Sequence, residues 1–254
     1  MNQILKKIFK KIQKSFIRRF LFLIKQEKFT FKLNNINLYL NIRDSIDREI
    51  FFNGYYEEDQ IEFLTNNIRK FSIGYFIDVG ANIGVYSLRI AKNITNIKID
   101  SFEPHISAYK RFKTNIEINN LKDVIRPHNI ALSDVNKEGY LISPSRFGSN
   151  QSGGAKVNSE GDIKINQIRG DDIVQVKNER IALKIDVEGF EVQVLKGIEN
   201  LLKNNEIFLQ IEIFDDNFLE TSKLLELNNF RLIKSGTFTH QDTVKDYFYL
   251  NFNV

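Results

Sequence analysis

The run Phe76-Ile77-Asp78-Val79-Gly80-Ala81-Asn82-Ile83-Gly84 constrains this chain more than any other stretch. It reads as a buried strand that ends in an acid, followed by a glycine-containing turn that opens a helix. In an open α/β sheet such a corner lies at the carboxyl end of a strand, where ligands bind. Glycine at 80 and 84 permits a sharp turn and a close backbone approach that a Cβ would obstruct. The spacing is D-x-G-x-N-x-G and not the G-x-G-x-x-G that packs against a pyrophosphate. Asp78 would repel a diphosphate and suits a cation.

A second acid follows at the end of the next apolar segment, Ile97-Lys98-Ile99-Asp100-Ser101-Phe102-Glu103. A carboxylate about 20 residues beyond a glycine turn can accept both hydroxyls of a ribose. Taken alone, Glu103 also reads as a solvated residue ahead of a helix over 105–119. Taken with Asp78, it points to a nucleoside that carries positive charge. S-adenosylmethionine (SAM) fits, because its ammonium lies beside a sulfonium and a carboxylate gives it a charge-assisted contact. His105 reads either as a pocket residue or as a helix cap.

The chain has 254 residues, 42% of them hydrophobic, enough for one sizeable core. With no cysteine it has no disulfide, no thiolate nucleophile and no cysteine-based zinc site, in keeping with a reducing, cytoplasmic setting. His105, His128 and His240 lack metal-binding spacing.

Charge is divided unevenly. Residues 1–28 hold nine of the 36 basic residues and one of the 32 acidic ones, so the remainder carries 27 against 31 and is net acidic. Ile4, Leu5, Ile8, Phe9, Ile12, Phe16, Phe20 and Ile24 recur there at helical spacing between lysines and arginines. A basic amphipathic helix over 1–28 is expected, either lying peripherally on an anionic inner membrane surface or covering the domain's own core. Its apolar run is too short for a signal peptide, and no window reaches transmembrane length.

After the arm, alternation around Asn34-Asn35 predicts a hairpin, and a helix is expected near 58–70. Residues 29–70 then form a hairpin-and-helix unit packed on a catalytic domain of 71–254. Within that domain strands 75–79, 97–103 and 124–131 alternate with helices 83–93 and 105–119, which predicts a parallel sheet. Short strands at 139–142 and 163–168 flank the polar segment Ser145–Gly161, read as an inserted loop and substrate-side lid. The alternation resumes with the run Ile181–Gly189, and a helix to about 203, strand 206–214, helix 217–229 and an antiparallel pair near 230–235 and 244–251 complete the sheet.

From about Gly54 to Phe214 the sequence resembles the FkbM-type SAM-dependent methyltransferases. The resemblance rests on Gly54-Tyr55-Tyr56-Glu57, the Phe76–Gly84 run, Phe102-Glu103-Pro104, Ile130-Ala131-Leu132-Ser133-Asp134, and Leu183-Lys184-Ile185-Asp186-Val187-Glu188-Gly189-Phe190-Glu191 through Val194-Leu195-Lys196-Gly197. It implies a Rossmann-like, seven-stranded class I methyltransferase sheet, α/β in class and mostly parallel with the last strand antiparallel, with helices on both faces. It also implies SAM as cofactor and O-methylation of a sugar or related small-metabolite hydroxyl. Carried over by position, Asp78, Gly80, Ala81, Asn82 and Gly84 would hold the methionine end of SAM and Glu103 the ribose. Asn129, Ile130 and Ala131, at the end of the third strand, would flank the adenine. One departure is Arg169-Gly170 before Asp171-Asp172, where the family usually carries leucine.

Methyl transfer from a sulfonium is an in-line displacement helped by a base that takes the hydroxyl proton. Asp186 and Glu188 are the candidate catalytic residues. Two apart on an extended strand, they would point the same way, and mutual repulsion would raise one pKa. A divalent ion held with Glu212 is the less favoured arrangement. Alternatively, Asp186 only positions ligands, Glu188 caps a helix and Glu212 is structural. Asp186-Val187-Glu188-Gly189 replaces the Asn/Asp-Pro-Pro-Tyr of amino-group methyltransferases, and the acidic body lacks a basic groove, so nucleic acid is not the expected partner. The competing reading is a membrane-associated scaffold that retains an inactive SAM fold.

Overall fold

The computed structural model describes residues 27–146, 149–236 and 244–253; the predicted amphipathic helix lies almost wholly outside them. The first described element is the expected hairpin, β1 (Lys28–Leu33) pairing antiparallel with β2 (Ile36–Asn41). A helix not anticipated from the sequence, α1 (Ser45–Asn53), follows; Asp44 caps it by accepting from the Ile46 amide. Next come α2 (Glu58–Lys70), β3 (Tyr75–Val79), α3 (Val85–Asn93), β4 (Lys98–Phe102), α4 (Ile106–Ile118) and β5 (Ile125–His128).

The predicted strand 124–131 ends early. The chain leaves the main sheet after His128, and Ala131–Ser133 (β6) joins a second sheet. That sheet accounts for the inserted segment. After β7 (Lys137–Ile142) come the two-residue strands β8 (Ser145–Arg146) and β9 (Ser149–Asn150), then β10 (Lys156–Asn158) and β11 (Ile163–Arg169). The order is β10-β7-β11-β6, so the insertion stands on a scaffold of strands. A short helix, α5 (Gly170–Ile173), packs so closely on Ile198 that a Cβ at Gly170 would lie 2.2 Å from it, which explains the departure from leucine there.

The remaining elements are β12 (Arg180–Ile185), α6 (Glu191–Gly197), α7 (Glu199–Asn204), β13 (Glu206–Phe214), α8 (Phe218–Leu227), β14 (Arg231–Gly236) and β15 (Val244–Leu250). The single helix expected to about 203 is two helices, separated at Ile198. The main sheet runs β14-β15-β13-β12-β3-β4-β5, and only β15 is antiparallel to its neighbours.

Residues alternate faces along each strand, so the register sorts the core. One face carries Ile77, Leu183, Leu209 and Tyr249 against Val194 and Leu195 of α6, Leu202 of α7 and Leu225 of α8. The other carries Phe76, Ala182, Phe208 and Phe248 against Leu38 and Leu40 of the hairpin and Ile61, Leu64 and Ile68 of α2. Each buried leucine, isoleucine, valine or phenylalanine among them contributes roughly 1.5–3 kcal/mol.

On the second face the strand register lays out successive rows. Ile99, Phe76, Ala182, Phe208 and Leu250 are neighbours across five strands. Two residues further along, the row reads Ser101, Asp78, Lys184, Gln210 and Phe248. Beyond it, where the strands end, lie Asp186 and the paired Glu212 and Asp246. The sheet thus passes from apolar to polar to acidic toward its carboxyl edge.

Candidate active site

A pocket opens at that edge. It is lined by the β3 turn, the segment after β4, the β5–β6 connection, the end of β12 and the inserted segment at Ser152–Ala155. Asp78, Gly80, Ala81, Asn82, Glu103, Ile130, Ala131, Asp186 and Glu188 all line it. Gly84 and Asn129, also expected there, do not.

Both glycines make the turn as expected, and each also admits a neighbouring segment. At Gly80 (φ 84°) a Cβ would lie 1.7 Å from the Asp186 carbonyl oxygen, so the residue lets the β3 turn and the end of β12 touch. At Gly84 (φ 85°) a Cβ would meet the Phe112 ring at 2.0 Å, so this glycine admits α4. Asn129 donates to the Glu103 and Pro104 carbonyl oxygens at 2.8 and 3.0 Å. It ties the loop after β4 to the loop after β5, so its contribution to the pocket is indirect.

Asp78 is fully buried. Its Oδ2 accepts from Ser87 at 2.5 Å, while Oδ1 has no partner among the described residues. Burial raises its pKa, opposed first by the Lys184 ammonium. Glu103 accepts from the Asn82 and His105 amides at 2.8 and 2.6 Å, yet burial still pushes it to about 7. His105 fills both proposed roles. Its Nδ1 caps α4 by accepting from the Ser107 amide, and its buried Nε2 has no partner among the described residues. An unsatisfied buried polar atom costs about 1–3 kcal/mol, so unpaired Asp78 Oδ1 and His105 Nε2 in one recess fit a polar ligand.

Across the pocket Asp186 and Glu188 do not share one extended strand. β12 ends at Ile185, and Glu188 has a φ of 54°. The same-side neighbour of Asp186 is Lys184, two residues upstream, whose Nζ donates to Asp186 Oδ2 at 2.9 Å. Glu188 accepts from the Gly154 amide at 3.0 Å and is raised to about 7, by burial first and by Asp186 next. Glu57, also near 7, accepts from the Tyr86 hydroxyl at 2.7 Å. Glu212 is raised to about 10 by burial and by Asp186, Asp246 and Glu188. Among the described residues no three such groups form a metal-binding set.

The inserted segment is held over the pocket. Ser152 donates its amide to Asp44 Oδ2 at 3.0 Å, and its hydroxyl lies 2.7 Å from that atom and 3.2 Å from Asn82 Oδ1. Arg111 Nη2 reaches both Asp44 and Ser152 at 3.1 Å. Sequence reasoning missed Asp44, Arg111, Ser152, Glu57 and Lys184. Two of them left a local signal: Glu57 closes the Gly54–Glu57 block that carries the resemblance, and Lys184 is a charge inside Ile181-Ala182-Leu183-Lys184-Ile185, where a central strand is buried on both faces.

The strand order, the single antiparallel strand and a pocket at the carboxyl edge define a class I methyltransferase fold. Residues 78–232 match the Methyltransferase FkbM domain, and the chain belongs to that family. It is 30% identical over 151 residues to the hexuronic acid methyltransferase AglP of Haloferax volcanii, covering 58% of this chain and 59% of that protein. It is 27% identical over 161 residues to the methyltransferase sdnD of Sordaria araneosa, covering 49% of this chain and 60% of the relative. The chain therefore spans about three-fifths of each curated relative. A solved methyltransferase FkbM from Methylobacillus flagellatus is 17% identical with a TM-score of 0.47, covering 69% of this chain and 43% of that one.

Proposed function

We propose that this protein is a SAM-dependent methyltransferase that methylates a hydroxyl on a sugar, glycan or related small metabolite. The observation that carries the reading is one pocket that gathers buried acids from β3, from the loop after β4 and from the end of β12. We assign the cofactor end to Asp78 and Glu103, near the ends of β3 and β4, and the acceptor end to Asp186 and Glu188, past the end of β12, with Lys184 lying between Asp78 and Asp186. Asp78 Oδ1 is the acceptor suited to the cofactor's ammonium, Glu103 to its ribose hydroxyls, and Ile130 and Ala131 to its adenine. SAM would supply an electrophilic methyl on a sulfonium.

Asp186 then has the position to accept the proton of an acceptor hydroxyl brought in from the Glu188 side, with the Lys184 bond fixing its orientation. The Ser152–Ala155 stretch covers the pocket and limits water. With Glu188 raised to about 7 and Asp186 paired with Lys184, the rim can both donate and accept hydrogen bonds, which suits the hydroxyls of a sugar. The hexuronic acid in the name of AglP supports a sugar. Labelled SAM incubated with neutral, aminated and carboxylated glycan acceptors tests this. Label on a sugar oxygen of any of them supports the reading; SAM binding without transfer to any of them returns the inactive-scaffold alternative.

We further propose that the basic segment 1–28 makes peripheral contact with an anionic membrane surface. Among the described residues no helix is long and apolar enough to cross a membrane. Sedimentation with anionic vesicles should be lost in a chain beginning at Glu27, while SAM binding is kept.

A further inference from the structure

Lys184 is the one buried lysine among the described residues, with its side chain 5% exposed. Burying an ammonium costs several kcal/mol unless it is well paired, so its surroundings have to explain it. In the strand register it lies between Asp78 of β3 and Gln210 of β13. Its Nζ is 2.9 Å from Asp186 Oδ2 and 4.5 Å from the centre of the Tyr86 ring. Tyr86 in turn donates to Glu57 and accepts from Gln210, which also donates to Asp246.

Carboxylates approach Lys184 from four strands and one turn: Asp78 from β3, Asp186 from the end of β12, Glu57 ahead of α2, Glu212 from β13 and Asp246 from β15, while α3 contributes the neutral Tyr86. Asp78 belongs to the proposed cofactor end of the pocket and Asp186 to the acceptor end. We infer that Lys184 is a positioning residue, a buried counter-ion shared by the two ends, which faces Asp78 on the cofactor side and aims Asp186 at the acceptor. The inference deepens the proposed methyl transfer and rests on it for the meaning of the two ends. The electrostatic arrangement itself belongs to the cofactor-free protein.

That arrangement has consequences a merely space-filling lysine would not have. Loss of an opposite charge within about 4–6 Å raises a carboxyl pKa by about 1–3 units. In the full-length, cofactor-free protein carrying 13C-carboxyl Asp and Glu, Lys184→Met should move the NMR titration midpoints of Asp78 and Glu57 upward by about one pH unit or more. Lys184→Arg should leave them near their original values. Unchanged midpoints in folded Lys184→Met would overturn the inference, even if its melting temperature fell. Should that variant not fold, the unaltered protein still decides: the 15N signal of Lys184 should stay in its ammonium form past the ordinary lysine midpoint of about 10.4. Titration at or below that midpoint would overturn the proposal. Calorimetry with SAM on the same samples separates the two readings. A wild type that shows these midpoints but binds no SAM defeats the cofactor assignment, whereas SAM binding with midpoints indifferent to Lys184 defeats the counter-ion.

Discussion

Two rows of side chains cross the same face of the main sheet, two residues apart, and differ in what each member requires. Ile99, Phe76, Ala182, Phe208 and Leu250 need only to be out of water, and their packing is tolerant of which apolar group does it. In the row Ser101, Asp78, Lys184 and Gln210, the polar contacts are supplied by residues outside the row. Ser87 serves Asp78 and lies 2.8 Å from Ser101, while Tyr86 serves Gln210 and lies under Lys184. Both helpers come from α3, the helix opened by the glycine turn. The contrast teaches that this fold separates stability from chemistry by a single step along its strands. Substitutions in the two rows should therefore fail in different assays.

The largest effect is expected in the apolar row. Phe208 is fully buried against Phe63, Phe71 and Phe248. Phe208→Ala should cost about 3–5 kcal/mol in denaturant unfolding, while molecules that remain folded bind SAM almost as before. A large loss of affinity in folded protein would break the separation.

Asp186→Asn comes next, because it retains size and hydrogen-bonding reach but removes the charge a base needs. Methyl transfer should fall by about 10²-fold or more, with stability and SAM affinity little changed. A fully active variant would remove Asp186 from the chemistry. Addition of a chelator to the wild type then tests for a required, accessible divalent ion, whose loss would abolish activity.

The apolar row was the legible one. Strand and helix alternation, the hairpin, the glycine turn and the antiparallel terminal pair all follow from local patterns of turn residues and apolar spacing, and each is present. Pairings that depend on chain segments far apart were not legible. Glu188 was expected beside Asp186 on the assumption of an extended backbone, but its left-handed conformation breaks that parity and leaves Lys184 as the true neighbour. Asn129 was expected at a strand's end and in the pocket, whereas the strand stops at His128 and the side chain serves the backbone of another loop. Asp44, Arg111 and Ser152 converge from three distant segments, and nothing in the spacing of any one of them announces the other two.

Within the polar part of the pocket, Asp78→Ala and Glu103→Ala should each weaken SAM binding by roughly 1.5–3 kcal/mol, the scale of a hydrogen bond to a charged group. Calorimetry on folded variants measures this directly. Unchanged affinity in both would show that the cofactor uses neither acid and would sink the assignment of that end of the pocket.

The smallest effect expected is a pH dependence that the apolar row cannot share. Burial raises Glu188 to about 7 in the folded chain, against about 4.3 when unfolded. Between those values the folded state holds more protons than the unfolded one, so stability falls as pH rises. The contribution is fully present below about pH 4.3, is lost as pH rises through about 7, and is constant above that. Glu57 and Glu103 act in the same direction. Glu188→Gln keeps an oxygen able to accept from the Gly154 amide but cannot ionise. It should therefore flatten the decline in cofactor-free stability between pH 5 and 8 by on the order of 1 kcal/mol, discounted for the solvent that reaches the pocket rim. Phe208→Ala should lower the whole curve without changing its slope. A Glu188→Gln curve parallel to wild type would mean that Glu188 already ionises freely in the fold, which would dissolve the contrast between rim and core at this residue.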